Sequence, residues 1–161
     1  MQRIELICFG KLRESFWRDA VAEYTKRLSA YCKLTVTELA EEPLPMKPSQ
    51  KEIEKALEAE AEAALKYINR GKSYVFALCV EGKQMPSEAF AQRLEQIATM
   101  GEGDVVFLIG SSYGLSPRLK ALADARISFS QMTFPHQMMR VILTEQLYRA
   151  YTIIEGKTYH K

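Results

Sequence analysis

The sequence predicts an α/β domain with a mostly parallel sheet flanked by helices. Segments 3–10, 73–80 and 104–110 are apolar runs of strand length, rich in β-branched and aromatic residues. The segments between them carry apolar residues at three- and four-residue spacing, which is typical of amphipathic helices. Strands that alternate with helices form a parallel sheet covered on its faces. At 161 residues the chain is most simply one domain, so we expect a single domain over residues 1–161.

The helices are predicted from this spacing and from signals at their ends. Ser15 is a candidate N-cap for the first helix. Ser49 caps a long charged helix that continues to about Arg70 and is closed by Gly71. Pro86 begins the next helix, since proline is favoured in the first turn.

Two further strands, 33–40 and 125–130, complete the predicted sheet, and the last helix covers about 137–155. In parallel sheets, ligands bind beyond the carboxyl ends of the strands. The turns that fit this position follow Leu78, Ile109 and Phe129.

Composition limits the function classes. The net charge is only +2, but residues 118–161 hold seven Lys and Arg against three Asp and Glu, so an anionic partner would be drawn to the carboxyl quarter. The three cysteines are widely spaced and the two histidines lie far from them, which predicts reduced thiols, a cytoplasmic location and no metal site. No apolar run reaches the length of a membrane span, and the amino-terminal apolar stretch is too short for a signal peptide.

The turn after the strand 104–110 raises an alternative function. Gly110-Ser111-Ser112-Tyr113-Gly114 matches the G-x-S-x-G pattern of a nucleophile elbow, and Asp124 and His136 follow in the order of a serine hydrolase. The chain has no oxyanion segment of the H-G-G-G type and is small for that fold. A glycine turn that lets the main chain approach a ligand is the other interpretation. A dinucleotide site is disfavoured because no G-x-G-x-x-G is present.

The carboxyl quarter is the most unusual stretch. Residues 129–136 are apolar and amide-rich for a loop, which predicts a segment packed in the interior around a heteroaromatic ligand. The last helix has a broad apolar arc, which indicates either a subunit interface or a central core helix. Glu145 and Arg149 are spaced to pair with each other, whereas Arg140 has no acidic residue four positions away and is expected to be free for a substrate.

The chain closely resembles a known family along its whole length, and three segments carry the resemblance. They are "ICFGKLRESFW", "FLIGSSYGLSP" and "ISFSQMTFPHQMMRVILTEQLYRAYTIIEGKTYHK", and the family is the RlmH-type methyltransferases of the SPOUT class. The resemblance implies a SPOUT-type α/β domain whose carboxyl end forms a trefoil knot, a homodimer formed through the carboxyl-terminal helix, and S-adenosyl-L-methionine as cofactor. It also implies methylation of N3 of pseudouridine 1915, in helix 69 of 23S rRNA, on the assembled 70S ribosome. A ribosome-binding module without catalytic activity remains an alternative.

The resemblance also implies the residues of the cofactor pocket, and the chemistry of methyl transfer to RNA suggests further candidates. The cofactor pocket falls on Leu78, Gly110, Phe129, Ser130, Gln131, Met132, Thr133 and Phe134. The candidate catalytic residues are Arg140 for stabilising charge on the base, His136 or His160 for the N3 proton, and Tyr159 for stacking. The candidate RNA contacts are Lys11, Arg13, Arg149 and Lys161.

Overall fold

The computed structural model describes residues 1–69, 71–101 and 103–161. Five strands alternate with five helices, as the fold class predicts. The elements in chain order are β1 (Gln2–Phe9), α1 (Ser15–Leu28), β2 (Cys32–Leu39), α2 (Gln50–Leu65), β3 (Ser73–Lys83), α3 (Ser87–Thr99), β4 (Asp104–Ile109), α4 (Pro117–Leu122), β5 (Ala125–Ile127) and α5 (His136–Ile154).

The five strands form one parallel sheet in the order β2-β1-β4-β3-β5. The central strand β4 is buried on both faces, which explains its continuous apolar sequence. Phe107 and its alternate neighbours face the helices α1, α3 and α5, and Val106 and Leu108 face α2 and α4. All five strands therefore present their carboxyl ends at one edge of the sheet.

Helix α5 packs between α1 and α3 on one face of the sheet. Leu143, Leu147 and Ala150 are fully buried there, and Tyr148 forms edge contacts with the rings of Tyr31 and Tyr159. This is the central core helix that the sequence left open as one alternative. The homodimer stays a prediction.

The predicted helix signals are only partly confirmed. Ser49 caps α2 in a capping box with Glu52, as predicted. The prediction for Ser15 is wrong, because Glu14 occupies the N-cap position of α1 and no side chain caps that end. Helix α2 ends at Leu65, short of the predicted boundary at Arg70, and Arg70 itself lies outside the described residues.

Two other boundaries differ from the prediction, and one short helix was not predicted. The helix predicted to begin at Pro86 has this residue as its N-cap, one position before its first turn. Strand β5 ends at Ile127, so the chain leaves the sheet earlier than the predicted strand 125–130. Helix α4 has only six residues and was missed, although Ser116 caps it and Pro117 is its first residue. None of the helices in the described ranges is long and apolar enough to cross a bilayer.

Candidate active site at the carboxyl edge of the sheet

A cavity of about 630 Å³ lies beyond the carboxyl ends of β3, β4 and β5. Its walls come from the three turns that the sequence singled out: residues 78–81, the glycine turn 109–115, and the segment 127–136. Its volume is in the range of pockets that hold small ligands and cofactors. The edge of the sheet where ligands were expected therefore does contain a pocket.

The glycine turn folds back tightly on the end of β4. A Cβ added to Gly110 would lie 2.3 Å from the carbonyl carbon of Gly114, so no side chain fits there. The N–H of Gly114 donates to the carbonyl of Ser111 at 2.8 Å, and Gly114 has a φ of 82°, which glycine adopts without strain. Both glycines are needed to form this wall.

A second close approach places the opposite wall. A Cβ added to Gly82 would lie 2.5 Å from the carbonyl carbon of Ile127, and the N–H of Ser128 donates to the carbonyl of Lys83 at 3.0 Å. The pairing of β3 with β5 is irregular between Leu78 and Lys83, so residues 79–82 leave the regular ladder beside the cavity. Sequence reasoning missed Gly82, although an isolated glycine in a strand pattern signals this kind of close contact.

The segment after β5 is less buried than predicted. Met132 is 73% exposed, and Gln131 and Thr133 are also exposed, so the prediction of an interior loop is wrong for the centre of this segment. Phe129 and Phe134 are half-buried and anchor its two ends. The short connection between these anchors does not have enough neighbouring elements to cover it.

The main chain of this segment is largely available to a ligand. Within the described part of the chain, only two main-chain groups of residues 129–134 take part in hydrogen bonds. The carbonyl of Ser130 accepts from the Ser128 hydroxyl at 2.8 Å, and the N–H of Met132 donates to the Ser130 hydroxyl at 3.0 Å.

Most of the residues predicted to bind a cofactor line the cavity. They are Leu78, Gly110, Phe129, Ser130, Met132, Thr133 and Phe134. Gln131 does not line it. Sequence reasoning missed Cys79 and an ion pair at the rim, in which the Lys120 ammonium lies 2.6 Å from the Glu81 carboxylate.

His136 is the first residue of α5 and also lines the cavity. Burial lowers the pKa of its imidazole below the ordinary value of 6.5; the nearby Glu41 carboxylate opposes this shift and the Arg140 guanidinium adds to it. The ring is therefore neutral at pH 7. A neutral imidazole can accept a proton from a ligand in the cavity.

The prediction that Arg140 is free for a substrate is wrong. Its side chain is 1% exposed, does not line the cavity, and forms an ion pair of 2.6 Å with Glu38. Its guanidinium also donates to the carbonyls of Phe9 at 3.0 Å and Gly10 at 2.7 Å. Arg140 thus connects the amino-terminal part of α5 to the carboxyl ends of β1 and β2.

The carboxyl-terminal residues pack against the protein and do not line the cavity. The Tyr159 hydroxyl donates to Glu145 at 3.1 Å. The ring nitrogens of His160 lie 3.1 Å from Arg149 and 2.8 Å from Glu88 on α3. His136 therefore lies at the cavity, whereas His160 lies against the helices α3 and α5.

The candidate RNA contacts fall into two groups. Lys11 and Arg13 are exposed in the turn after β1, where Arg18 donates to the carbonyls of Leu12 and Arg13 and orders the turn. Arg149 pairs with Glu145 as its spacing predicts, so its charge is already balanced within the chain. Lys161 is exposed at the carboxyl end.

Ser112 and His136 of the serine hydrolase alternative both line the cavity, but Asp124 does not. Asp124 accepts the N–H of Val75 at 2.8 Å near the amino end of β3, whereas Ser112 lies beyond the carboxyl end of β4. The Ser112 hydroxyl donates to Glu41 at 3.3 Å. No residue other than glycine has a positive φ in the described ranges, so Ser112 lacks the strained geometry of a nucleophile elbow. The hydrolase alternative is wrong.

Comparison with known proteins supports a different chemistry. Residues 2–160 match a family model described as "Predicted SPOUT methyltransferase". A ribosomal RNA large subunit methyltransferase H from Streptococcus uberis is 48% identical over 159 residues, which cover 99% of each chain. A protein of the same name from Limosilactobacillus reuteri is 45% identical, over 98% of this chain and 99% of its own.

The fold is also found among solved structures. A probable methylase family protein from Haemophilus influenzae superposes with a TM-score of 0.52 over 99% of this chain and 70% of its own, at 15% identity. This likeness concerns the fold alone. The family model and the relatives cover nearly the whole sequence, and the chain therefore belongs to the SPOUT methyltransferase family.

Proposed function

We propose that this protein transfers a methyl group from S-adenosyl-L-methionine to N3 of pseudouridine 1915 in helix 69 of 23S rRNA, on the assembled 70S ribosome. The family supports methyl transfer, and the names of the relatives support large-subunit rRNA as the substrate class. The observation that carries the proposal is the cavity at the carboxyl edge of the sheet, which seven of the eight expected cofactor residues line. A ribosomal substrate would be met in the cytoplasm.

The residues of the cavity fit this cofactor. Leu78, Ile109 and Ile127 give it an apolar floor against which a purine ring can pack. The available N–H and carbonyl groups of 129–134 can bond the edge of such a ring, which presents both donors and acceptors. When bound, the cofactor supplies a methyl group that is activated by its sulfonium.

The remaining chemistry concerns the RNA base. N3 of the base is a poor nucleophile as long as it carries its imide proton. A group that accepts this proton would therefore accelerate methyl transfer. His136 is neutral and lines the cavity, and in our proposal its imidazole accepts the N3 proton. The walls of the cavity contribute alignment, which an in-line displacement requires.

Arg140 has a different part in this proposal from the one that its sequence position suggested. Because it is buried and paired with Glu38, it holds the amino-terminal part of α5, and with it His136, against the ends of β1 and β2. It therefore acts on the site by positioning, without contact with the RNA.

The RNA in this proposal contacts Lys11 and Arg13 beside the site, and Tyr159, His160, Arg149 and Lys161 at the carboxyl end. The carboxyl-terminal residues do not line the cavity of their own chain. In this proposal the protein is a homodimer in which the tail of one subunit closes the site of the other, with Tyr159 stacking on a base.

Gly110→Ala is expected to abolish S-adenosyl-L-methionine binding, because the added Cβ would collide with the main chain of Gly114 and displace the wall of the cavity. Isothermal titration calorimetry with the cofactor measures this. Gly103→Ala is the matched control, since a Cβ at Gly103 meets no atom within 4 Å. If Gly110→Ala binds the cofactor with unchanged affinity, the cavity is not the cofactor's binding site.

The pH dependence of transfer tests the role of His136. Its pKa lies below 6.5, so the neutral, proton-accepting form persists to lower pH than for an exposed histidine. Single-turnover rates should fall as the pH drops through a midpoint below 6.5. His136→Gln should lose this acidic limb and be slower by about 10²–10⁴-fold. If the limb persists in His136→Gln, another group accepts the proton.

Deletion of Tyr159–Lys161 is expected to leave cofactor binding intact and to slow methyl transfer at least ~100-fold, because the tail would act on the RNA and not on the cofactor. Calorimetry and transfer of a radioactive methyl group to 70S ribosomes separate the two effects. Deletion of Lys161 alone removes only the proposed RNA contact of that residue and is expected to slow transfer less than the longer truncation, since Lys161 makes none of the contacts of Tyr159 and His160. Transfer at the wild-type rate by the longer truncation would contradict the proposed role of the tail.

A further inference from the structure

A buried carboxylate supports the glycine turn from behind. Glu60 on α2 is only 4% exposed. One of its oxygens accepts the hydroxyl of Ser111 at 2.7 Å, and the other accepts the N–H of Glu42 at 3.0 Å. Glu60 thus joins the turn that walls the cavity to the loop that follows β2.

The position of Glu60 is costly for a carboxylate. Burying a charge without an opposite charge is unfavourable, and among the ion pairs of the described residues none includes Glu60. Its neighbours on α2 behave differently, because Glu58 and Glu62 are exposed and pair with Arg118. The flanking buried positions of the helix, Ala56 and Ala61, are apolar. An apolar residue would satisfy the packing at this position, so packing does not explain a carboxylate there.

The electrostatics of Glu60 agree with this description. Burial raises the pKa of its carboxyl, the Ser111 hydroxyl and the Glu42 N–H oppose the shift, and the carboxylates of Glu41 and Glu42 add to it. The two donors are therefore the groups that stabilise the ionised form. The interaction is reciprocal, so the carboxylate in turn restrains both donors.

One of these donors belongs to the wall of the cavity. Ser111 lines the cavity and forms the isolated bridge with Gly114 that closes the turn. Ser112, the next residue, has a longer bond of 3.3 Å to Glu41, which is exposed. The bond between Glu60 and Ser111 is the shorter and more buried of the two side-chain anchors of this turn.

We infer that Glu60 is a positioning residue for cofactor binding, whose carboxylate holds Ser111 and so keeps the turn 110–114 in the shape that S-adenosyl-L-methionine requires. The inference rests on the proposed function, because it assigns the cofactor to this cavity. It adds a residue that lies outside the cavity and acts through Ser111. The loss of a hydrogen bond between two side chains, one of them buried, has an effect large enough to measure in this way.

The test is a double-mutant cycle on cofactor affinity, measured by calorimetry with S-adenosyl-L-methionine. Ser111→Ala removes the donor and is expected to weaken binding about 10-fold. Ser111→Thr keeps a hydroxyl and is expected to restore most of the affinity. Glu60→Ala is expected to weaken binding by a similar factor, and the double variant to bind no worse than either single variant, because both changes remove the same interaction.

Glu54→Ala is the matched control, because Glu54 lies on the same helix but is exposed. Losses that add in the double variant would mean that Ser111 contacts the cofactor directly and would overturn the role of Glu60. Unchanged cofactor affinity in Ser111→Ala would also overturn the role of Glu60, whether or not the melting temperature changes. If Glu60→Ala does not fold, Glu60→Met replaces it in the cycle, because methionine keeps the length of the side chain and removes the acceptor of the Ser111 hydroxyl. Absence of binding by the wild-type protein would instead refute the proposed function.

Discussion

The candidate site depends on two places where main chain packs directly on main chain. At Gly82 the backbone of β3 approaches that of Ile127, and at Gly110 the end of β4 approaches Gly114. These contacts determine the distance of the segment after β5, and of the glycine turn, from the sheet. Because any side chain would force the strands apart, the geometry of the cavity is encoded by the absence of a Cβ at two positions.

Side-chain interactions complete this arrangement from outside the cavity. Arg140 ties the beginning of α5 to the carbonyls of Phe9 and Gly10, and Glu60 joins Ser111 to the loop after β2. Both side chains are buried, and both connect segments that are far apart in the sequence. Membership of the SPOUT class implies a carboxyl-terminal trefoil knot.

The sequence was sufficient to predict those features of the fold that depend on a local pattern of residues. Apolar runs identified the strands, and the rule for parallel sheets identified the turns after Leu78, Ile109 and Phe129, which line the cavity. It failed where a partner lies far along the chain. Arg140 seemed free because no acidic residue stood four positions away, but its partner Glu38 is 102 residues distant. The contacts of His160 with Glu88 could not be foreseen for the same reason, since spacing informs only about neighbours on one element.

The central claim is that this chain methylates N3 of one pseudouridine on the assembled ribosome. The direct measurement is incubation with S-adenosyl-L-methionine carrying a tritiated methyl group and with 70S ribosomes, isolated subunits or free 23S rRNA that lack the modification, followed by nucleoside analysis. The account predicts that the label appears in N3-methylpseudouridine at position 1915 and that 70S ribosomes are the preferred substrate. Label in another nucleoside, or no label in any of the substrates, would contradict it.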